Sequence, residues 1–234
     1  MTYTLKILQT TQETPDVKTI KLEKPKEFDF IAGQFLMAAT GFKEKNILVK
    51  RSYSIASSPA EEFIEICVKK KKAPSFSAAL HELKTEDTLL IDGPFGRYIL
   101  KEPLKENTIF IAAGAGIAPI RSMIKTLISK GLQHKIKLFY SFHFPEEYIY
   151  KTEFEEFASK EQKFELFASM SASEKEFPDW KGLRGRVTKH LPEHIQKDKE
   201  YTAYICGPPQ MVTDTVKQLL DLGLENENIY KEAW

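Results

Sequence analysis

Cysteine is scarce, with two residues, Cys67 and Cys206, in a chain of 234. Neither belongs to a CxxC pair, which excludes an iron–sulfur cluster or a structural zinc held by this chain's own thiols and places any redox metal on another protein. Net charge is also nearly absent: 34 Lys and Arg against 33 Asp and Glu leave +1, so no strong field selects nucleic acid or an anionic membrane as partner. Long apolar runs are missing. The longest, Ile109 to Ile120, is too short to span a bilayer and is broken by Gly114, Gly116 and Pro119. The opening MTYTLKILQTTQE lacks the basic-then-apolar pattern of a secretory signal. The expectation is a soluble cytoplasmic protein with reduced thiols and no membrane span. The five histidines are scattered. His190 and His194 have metal-like spacing, but Pro192 lies between them and no third ligand is in view. All five are read as solvent-facing, and no metal is expected.

What is present is enough apolar content, 42% of the chain, to build the cores of two ordinary domains. From Tyr3 to about Leu100 the pattern is short alternating or β-branched runs: YTLKILQT, VKTIKLEK, QFLMAAT, RSYSIASS, FIEICVKK and TLLIDGP. Such spacing predicts an antiparallel barrel or sandwich. One helical stretch, SFSAALHEL, interrupts it, with a serine at its start suited to capping. After KEPLKEN (101–107) strand and helix alternate: TIFIAAG, Pro119 to Lys130, KIKLFYSF, Tyr150 to Lys160, KFELFASM, YTAYICG, a helix from about Gln210 to Leu222, and NIYKEAW. This predicts a doubly wound parallel sheet. The boundary is placed near residue 103, giving domains 1–103 and 104–234.

In an open parallel sheet, ligands bind at the carboxyl ends of strands where the strand order reverses. Two motifs fall at such ends. In AAGAGIAPI (112–120), Gly114 and Gly116 allow close backbone approach to a pyrophosphate, and Pro119 is a helix-starting residue; the same pattern also serves a plain tight turn. In YICGPPQMV (204–212), an apolar strand delivers Cys206 to the sheet edge, either toward the cleft of Gly116 or as a small buried hydrophobe. Cys67 is read as barrel core. In the first half, RSYSIASSP (51–59) is unusual. Period two places Arg51 and Tyr53 on one face and Ser52 and Ser54 on the other, so a guanidinium and an aromatic ring are offered together. That suits a ligand with a phosphate and a flat ring system, although a surface Arg beside a half-buried Tyr is a common pairing.

Taken in order, RSYS (51–54), Ser77, GPFG (93–96), GAGIAP (114–119), CGPP (206–209) and the terminal EAW (232–234) resemble the ferredoxin-NADP reductase-like flavoprotein reductases over essentially the whole chain. The resemblance implies a Greek-key β-barrel FAD domain followed by an α/β NAD(P) domain. It implies that Arg51 contacts the flavin pyrophosphate, Tyr53 packs on the isoalloxazine and Ser54 bonds near flavin N5, with Ser52 in the same motif. Ser75, Phe76 and Ser77 fall at the FAD phosphate, with Pro74, which has no N–H, where glycine is usual. Gly114, Gly116 and Pro119 are assigned to the dinucleotide, and Cys206, Gly207, Pro208 and Met211 to its nicotinamide end. Ala115 stands where many members carry a hydroxyl. Trp234 is implied as a cover for the flavin face opposite Tyr53, or else as a buried anchor of the last strand, and Glu232 as a group that positions the ring or relays a proton.

Ser54, Cys206 and Glu232 are thus the implied catalytic set, with FAD as cofactor and NADPH or NADH as hydride donor. The strand KIKLFYSF ends without the carboxylate that would bind a ribose 2′-hydroxyl. Ser141, His143 and Lys151 lie near where NADPH-using relatives place phosphate contacts, a slight lean to NADPH. Lys69 to Lys72 could steer an acidic ferredoxin or flavodoxin, help neutralise FAD phosphates, or be simply solvated. The expected acceptor is a ferredoxin, flavodoxin or oxygenase component. Release of reduced free flavin and a non-catalytic flavin-binding subunit are the alternatives.

Overall fold

The computed structural model describes residues 1–44, 47–196 and 199–234. It divides into two compact units, Met1–Leu100 with Arg121–Ser129 and Lys101–Ile120 with Lys130–Trp234.

In the first unit, β1 (Thr2–Thr14), β2 (Val17–Glu23), β3 (Phe35–Glu44), β4 (Ile47–Ser54), β5 (Phe63–Lys69) and β6 (Thr88–Phe95) form one antiparallel sheet in the order β4-β3-β6-β1-β2-β5. Alternation sends Leu5, Ile7, Ile20, Leu22, Leu36, Ile64, Ile66, Leu89 and Ile91 into one core. Each such side chain contributes about 1.5–3 kcal/mol relative to exposure, so a one-residue slip that turns the whole set to solvent is strongly disfavoured. The two end strands meet where Ile55 bridges to Ile66, and the Ala56 N–H donates to the Glu65 carbonyl at 2.7 Å, closing the sheet into a barrel. The helix α1 (Phe76–Glu82) buries Phe76 and Leu80 in the same core.

Three expectations need correction here. The strand expected over 51–58 ends at Ser54, because the chain there turns to close the barrel. Cys67 is buried, yet it alternates with the inward Ile66 and Val68 and so lies on the outer side of β5 with Glu65. His81 is buried rather than solvent-facing: its Nε2 lies 2.9 Å from the Val68 carbonyl, and burial holds its pKa below the usual histidine range.

In the second unit, β7 (Asn107–Ala113), β8 (Lys135–Phe142), β9 (Phe164–Met170), β10 (Leu183–Arg184), β11 (Tyr201–Gly207) and β12 (Ile229–Ala233) form a wholly parallel sheet in the order β10-β9-β8-β7-β11-β12. With them come the first turn of α2 (Ile117–Ser129), whose Arg121–Ser129 belongs to the first unit, and α3 (Lys151–Lys160), α4 (Leu191–His194) and α5 (Pro209–Asp221). The two central strands, β7 and β11, are buried almost throughout, which is why they read as continuous apolar runs. On one face Ile109, Ile111, Ala203 and Ile205 pack with Val212 and Leu219 of α5. On the other, Phe110, Tyr204 and Tyr230 form a stack with centroids 5.4 and 5.0 Å apart. From β7 the chain runs outward through β8 to β10 and returns to β11 on the opposite side, so the strand order reverses between β7 and β11. Among the described residues no helix is long and apolar enough to cross a membrane.

Candidate functional site

In the first unit, Tyr53 pairs with Leu36 and Arg51 with Ala38 across β3 and β4. Directly opposed residues share a face, and Leu36 and Ala38 are fully buried, so Arg51 and Tyr53 point to the inner side of the barrel and Ser52 and Ser54 to the outer. The inner side is reachable here because β4 and β5 are the ends of the sheet, joined just beyond β4 by the Ile55–Ile66 bridge and the bonds of Ala56 and Ser57 to Glu65. Arg51 is exposed and Tyr53 half-buried. The Tyr53 ring is stacked on buried Phe76, with centroids 6.2 Å apart and planes 27° apart. Burial pushes the Tyr53 hydroxyl up to about 12, against the pull of the Arg51 cation.

The serines beyond Pro74 hold the preceding loop. Ser75 caps α1, its Oγ accepting the Ala78 N–H at 3.2 Å and donating to the Lys71 carbonyl at 3.1 Å. Ser77 Oγ accepts the Lys71 N–H at 2.9 Å and lies 3.4 Å from Ser75 Oγ. In the lysine run, Lys69 pairs with Asp16 at 3.2 Å and Lys70 with Glu82 at 3.7 Å.

In the second unit, the turn after β7 is a short 3-10 segment over Gly114–Gly116 that leads straight into α2. The helix therefore begins at Ile117, two residues before the expected Pro119. Proline is tolerated there because the first turn's N–H groups have no partner within the helix. Gly114 has φ +51°, which only glycine adopts freely, and its added Cβ would lie 3.9 Å from the Trp234 indole. A Cβ on Gly116 would stand 2.3 Å from the Cys206 carbonyl oxygen, so only glycine admits the end of β11 this closely. Both glycines thus have strong physical reasons to be glycine.

Cys206 is 1% exposed, and in parallel register it lies between Ala112 and Glu232. Burial, then the nearby Glu232 carboxylate, pushes its thiol well above the usual cysteine range; burial also raises Glu232. The structure therefore brings the backbone of Cys206, rather than an exposed thiol, against Gly116. Pro208 is the N-cap of α5, and Met211 is packed against the core beside Gly207. Trp234 is 57% exposed, which rules out the buried-anchor alternative, and its N–H donates to the Gly207 carbonyl at 3.4 Å. Ser141 ends the pairing of β8 with β7, one residue before its pairing with β9 ends, and the exposed His143 has its Nδ1 3.0 Å from Ser171 Oγ. Lys151 is exposed and pairs with Glu155 at 3.9 Å.

Sequence reasoning missed Tyr140. It is fully buried on β8, and its hydroxyl donates to the Gly114 carbonyl at 3.1 Å, fixing the glycine turn from below. The strand's apolar pattern hides it among core residues. Phe76, expected at the flavin, is buried in the barrel and acts on the site by backing Tyr53.

The residues fit the groups implied. A half-open ring backed by a second ring, beside a guanidinium, suits a flat heterocycle with a phosphate tail. A turn whose Gly114 has a positive φ and whose Gly116 admits no Cβ suits a pyrophosphate approached by backbone. The family model for oxidoreductase FAD-binding domains matches residues 4–99, and that for oxidoreductase NAD-binding domains matches 110–217. The chain is 28% identical over 235 aligned positions to the phenol hydroxylase P5 protein of Acinetobacter pittii, covering 99% of this chain and 65% of that one. It is 33% identical over 197 positions to a subunit of the Na(+)-translocating NADH-quinone reductase of Yersinia pestis, covering 76% and 47%. The chain thus spans less than two thirds of these relatives. A crystal structure of a ferredoxin NADP+ reductase from Neisseria gonorrhoeae with bound FAD and NADP superposes with a TM-score of 0.84 at 25% identity, over 99% of this chain and 98% of that one. With an oxidoreductase FAD-binding domain, a following NAD-binding domain and this fold, the chain belongs to the ferredoxin-NADP reductase-like family of flavoprotein oxidoreductases.

Proposed function

We propose that the chain is the NAD(P)H-oxidising, FAD-carrying part of a reductase that hands electrons to a separate redox protein, with ligand domains at 1–103 and 104–234. The observation that carries this reading is that one chain holds both a half-open Tyr53 ring beside Arg51 and a glycine turn closed against the backbone of Cys206. FAD, when bound, supplies the step between two-electron hydride acceptance and single-electron release.

The chain's own residues bind and orient. Arg51 holds the flavin pyrophosphate, with Ser75, Phe76 and Ser77 shaping the wall behind it. Tyr53 would fix the plane of the ring, and Ser52 and Ser54, on the other face of the strand, would set its course, with Ser54 at its end as the group toward N5. Gly114, Gly116 and Pro119 admit the dinucleotide, Tyr140 holding their turn. Ser141 and His143 face its ribose end, and Cys206, Gly207, Pro208 and Met211 its nicotinamide end. Trp234 covers the turn until the coenzyme arrives, and Glu232, whose carboxyl pKa is raised by burial, is the group that would position the ring or relay a proton. Hydride transfer needs alignment more than a strong acid or base, which accords with this set.

Supporting the electron-transfer reading, one relative is named a phenol 2-monooxygenase reductase component and one structural neighbour a ferredoxin reductase in carbazole 1,9a-dioxygenase. The acceptor class we propose is accordingly a ferredoxin, a flavodoxin or an oxygenase component. The test is a visible absorption spectrum of the purified chain after FAD reconstitution, then anaerobic reduction by NADH and by NADPH. Retained FAD bleached by one coenzyme supports the proposal. Failure to take up FAD refutes it, and turnover of added free flavin with none retained would move the assignment to a flavin reductase.

A further inference from the structure

The segment that follows the Arg51–Ser54 strand is buried and rich in polar groups. Ile55, Ala56, Ser57 and Ser58 are each at most 2% exposed, so their backbone groups need partners inside the protein. The barrel supplies some. Ile55 N–H donates to the Gln34 carbonyl at 2.9 Å, Ala56 N–H to the Glu65 carbonyl at 2.7 Å, and Ser57 Oγ accepts the Glu65 N–H at 3.0 Å.

The helix α2 supplies others. Arg121 Nη1 donates to the Ala56 carbonyl at 3.0 Å and to the Glu65 carboxylate at 2.6 Å. Ser122 Oγ donates to the Ser57 carbonyl at 2.6 Å, and Thr126 Oγ1 lies 3.1 Å from Ser58 Oγ. Lys125 Nζ pairs with one oxygen of Glu61 at 2.7 Å while the other accepts the Ser58 N–H at 2.7 Å. Arg121 is 6% exposed and Glu65 7%, and the further charge near this carboxylate, Lys21 Nζ, is 3.7 Å away.

We infer that Arg121 and Ser122 are positioning residues for the flavin site: by holding the carbonyls of Ala56 and Ser57 they fix the exit of β4 and hence the orientation of Tyr53 and Ser54. The flavin-binding unit is therefore discontinuous, 1–100 completed by 121–129, although that second stretch lies inside the match to the NAD-binding family model. A helix with Arg, Ser, Lys and Thr along one side is dictated by the buried carbonyls and acids it must satisfy, not by solvent. The inference rests on the reading that β4 holds FAD.

The test uses the full chain freed of flavin, with three readouts: FAD titration, thermal melting without FAD, and the visible circular dichroism of bound flavin. Arg121→Met removes the 2.6 Å partner of the buried Glu65 carboxylate and leaves it Lys21 at 3.7 Å, and should lower Tm as well as FAD affinity. Adding Glu65→Met removes that carboxylate. The double variant should melt near wild type yet bind FAD about tenfold or more weakly, with an altered flavin dichroism, because the Ala56 carbonyl is still unheld. Arg121→Lys keeps a cation for Glu65 but cannot fork to both acceptors, and should fall between. Ser122→Ala, which removes a single donor, should raise the FAD dissociation constant and alter the dichroism in the same direction. A double variant that recovers wild-type Tm, FAD affinity and dichroism together overturns the inference. If the double variant does not fold, Ser122→Ala decides, and wild-type affinity with an unchanged spectrum overturns it. A wild-type chain that takes up no FAD overturns the flavin reading and this inference with it, whereas FAD bound equally by wild type and variants overturns this inference alone.

Discussion

Truncating Tyr53 tests the flavin strand most directly. Its ring is half-buried and backed by Phe76 at 6.2 Å, so Tyr53→Ala removes the surface on which a flat ring would rest and uncovers the ring beneath it. Stacking of an aromatic side chain on a heterocyclic base contributes about 1–3 kcal/mol by alanine substitution. The FAD dissociation constant should therefore rise roughly 5- to 150-fold, measured by fluorescence titration of the flavin-free protein. Tyr53→Phe keeps the ring and its Phe76 support and should stay within about threefold of wild type. Equal affinity and identical flavin absorbance for wild type and Tyr53→Ala would remove Tyr53 from the site. The same residue has a pH signature. Burial raises its hydroxyl to about 12, so the folded chain holds that proton more tightly than the unfolded chain. The associated stability is fully present below the ordinary tyrosine pKa of about 10 and is lost as pH rises toward 12. Tyr53→Phe should therefore lessen the alkaline fall in Tm while leaving FAD affinity flat through neutral pH.

Gly116→Ala places a methyl group 2.3 Å from the Cys206 carbonyl. The overpacking should cost about 1–3 kcal/mol, roughly 2–12 °C in Tm, and should raise KM for the coenzyme with FAD content unchanged; a normal KM would show that the turn does not touch the dinucleotide. Cys206→Ala should slow flavin reduction in stopped flow without releasing FAD, and because burial keeps the thiol protonated, native Cys206 should resist iodoacetamide at neutral pH and react only when unfolded. Rapid labelling of Cys206 in the native chain would contradict the burial argument. Deleting Trp234 uncovers Gly114 and should tighten coenzyme binding several-fold in a titration; no gain would mean that the indole does not compete.

The division of the chain was legible because each half writes its period plainly. Ile20, Leu22, Ile64 and Ile66 alternate on one face, whereas the strands of 107–113 and 201–207 are buried almost throughout and mostly apolar because helices or further packing cover both faces. The glycine turn was legible for a local reason, since a positive φ and a close approach leave few other residues possible. What stayed hidden depends on partners distant in sequence. That the shared face of Arg51 and Tyr53 is the inner one follows from their pairing with buried Leu36 and Ala38, and that it is reachable follows from β4 being an end strand, neither of which a local pattern states. The burial of His81 requires a carbonyl on Val68, and the role of Tyr140 requires one on Gly114. The partners of the polar side of α2 stayed hidden for the same reason: Ala56, Ser57 and Glu65 lie more than fifty positions upstream of Arg121 and Ser122.

The titratable groups of the candidate sites share a direction. Burial shifts Tyr53, Cys206 and Glu232 upward, and for a phenol, a thiol and a carboxyl upward means toward the uncharged form. Surfaces of this kind suit hydride transfer, in which a proton and an electron pair move together and no charged acid or base has to be generated. They also suit ring stacking, which is strongest where water is displaced. In the function proposed, charge is kept for the phosphate end, assigned to the exposed Arg51. A neutral stacking floor separated from a cationic phosphate grip would account for Arg51 and Tyr53 standing two residues apart on one face: one strand would then present both ends of an elongated, asymmetrically charged ligand.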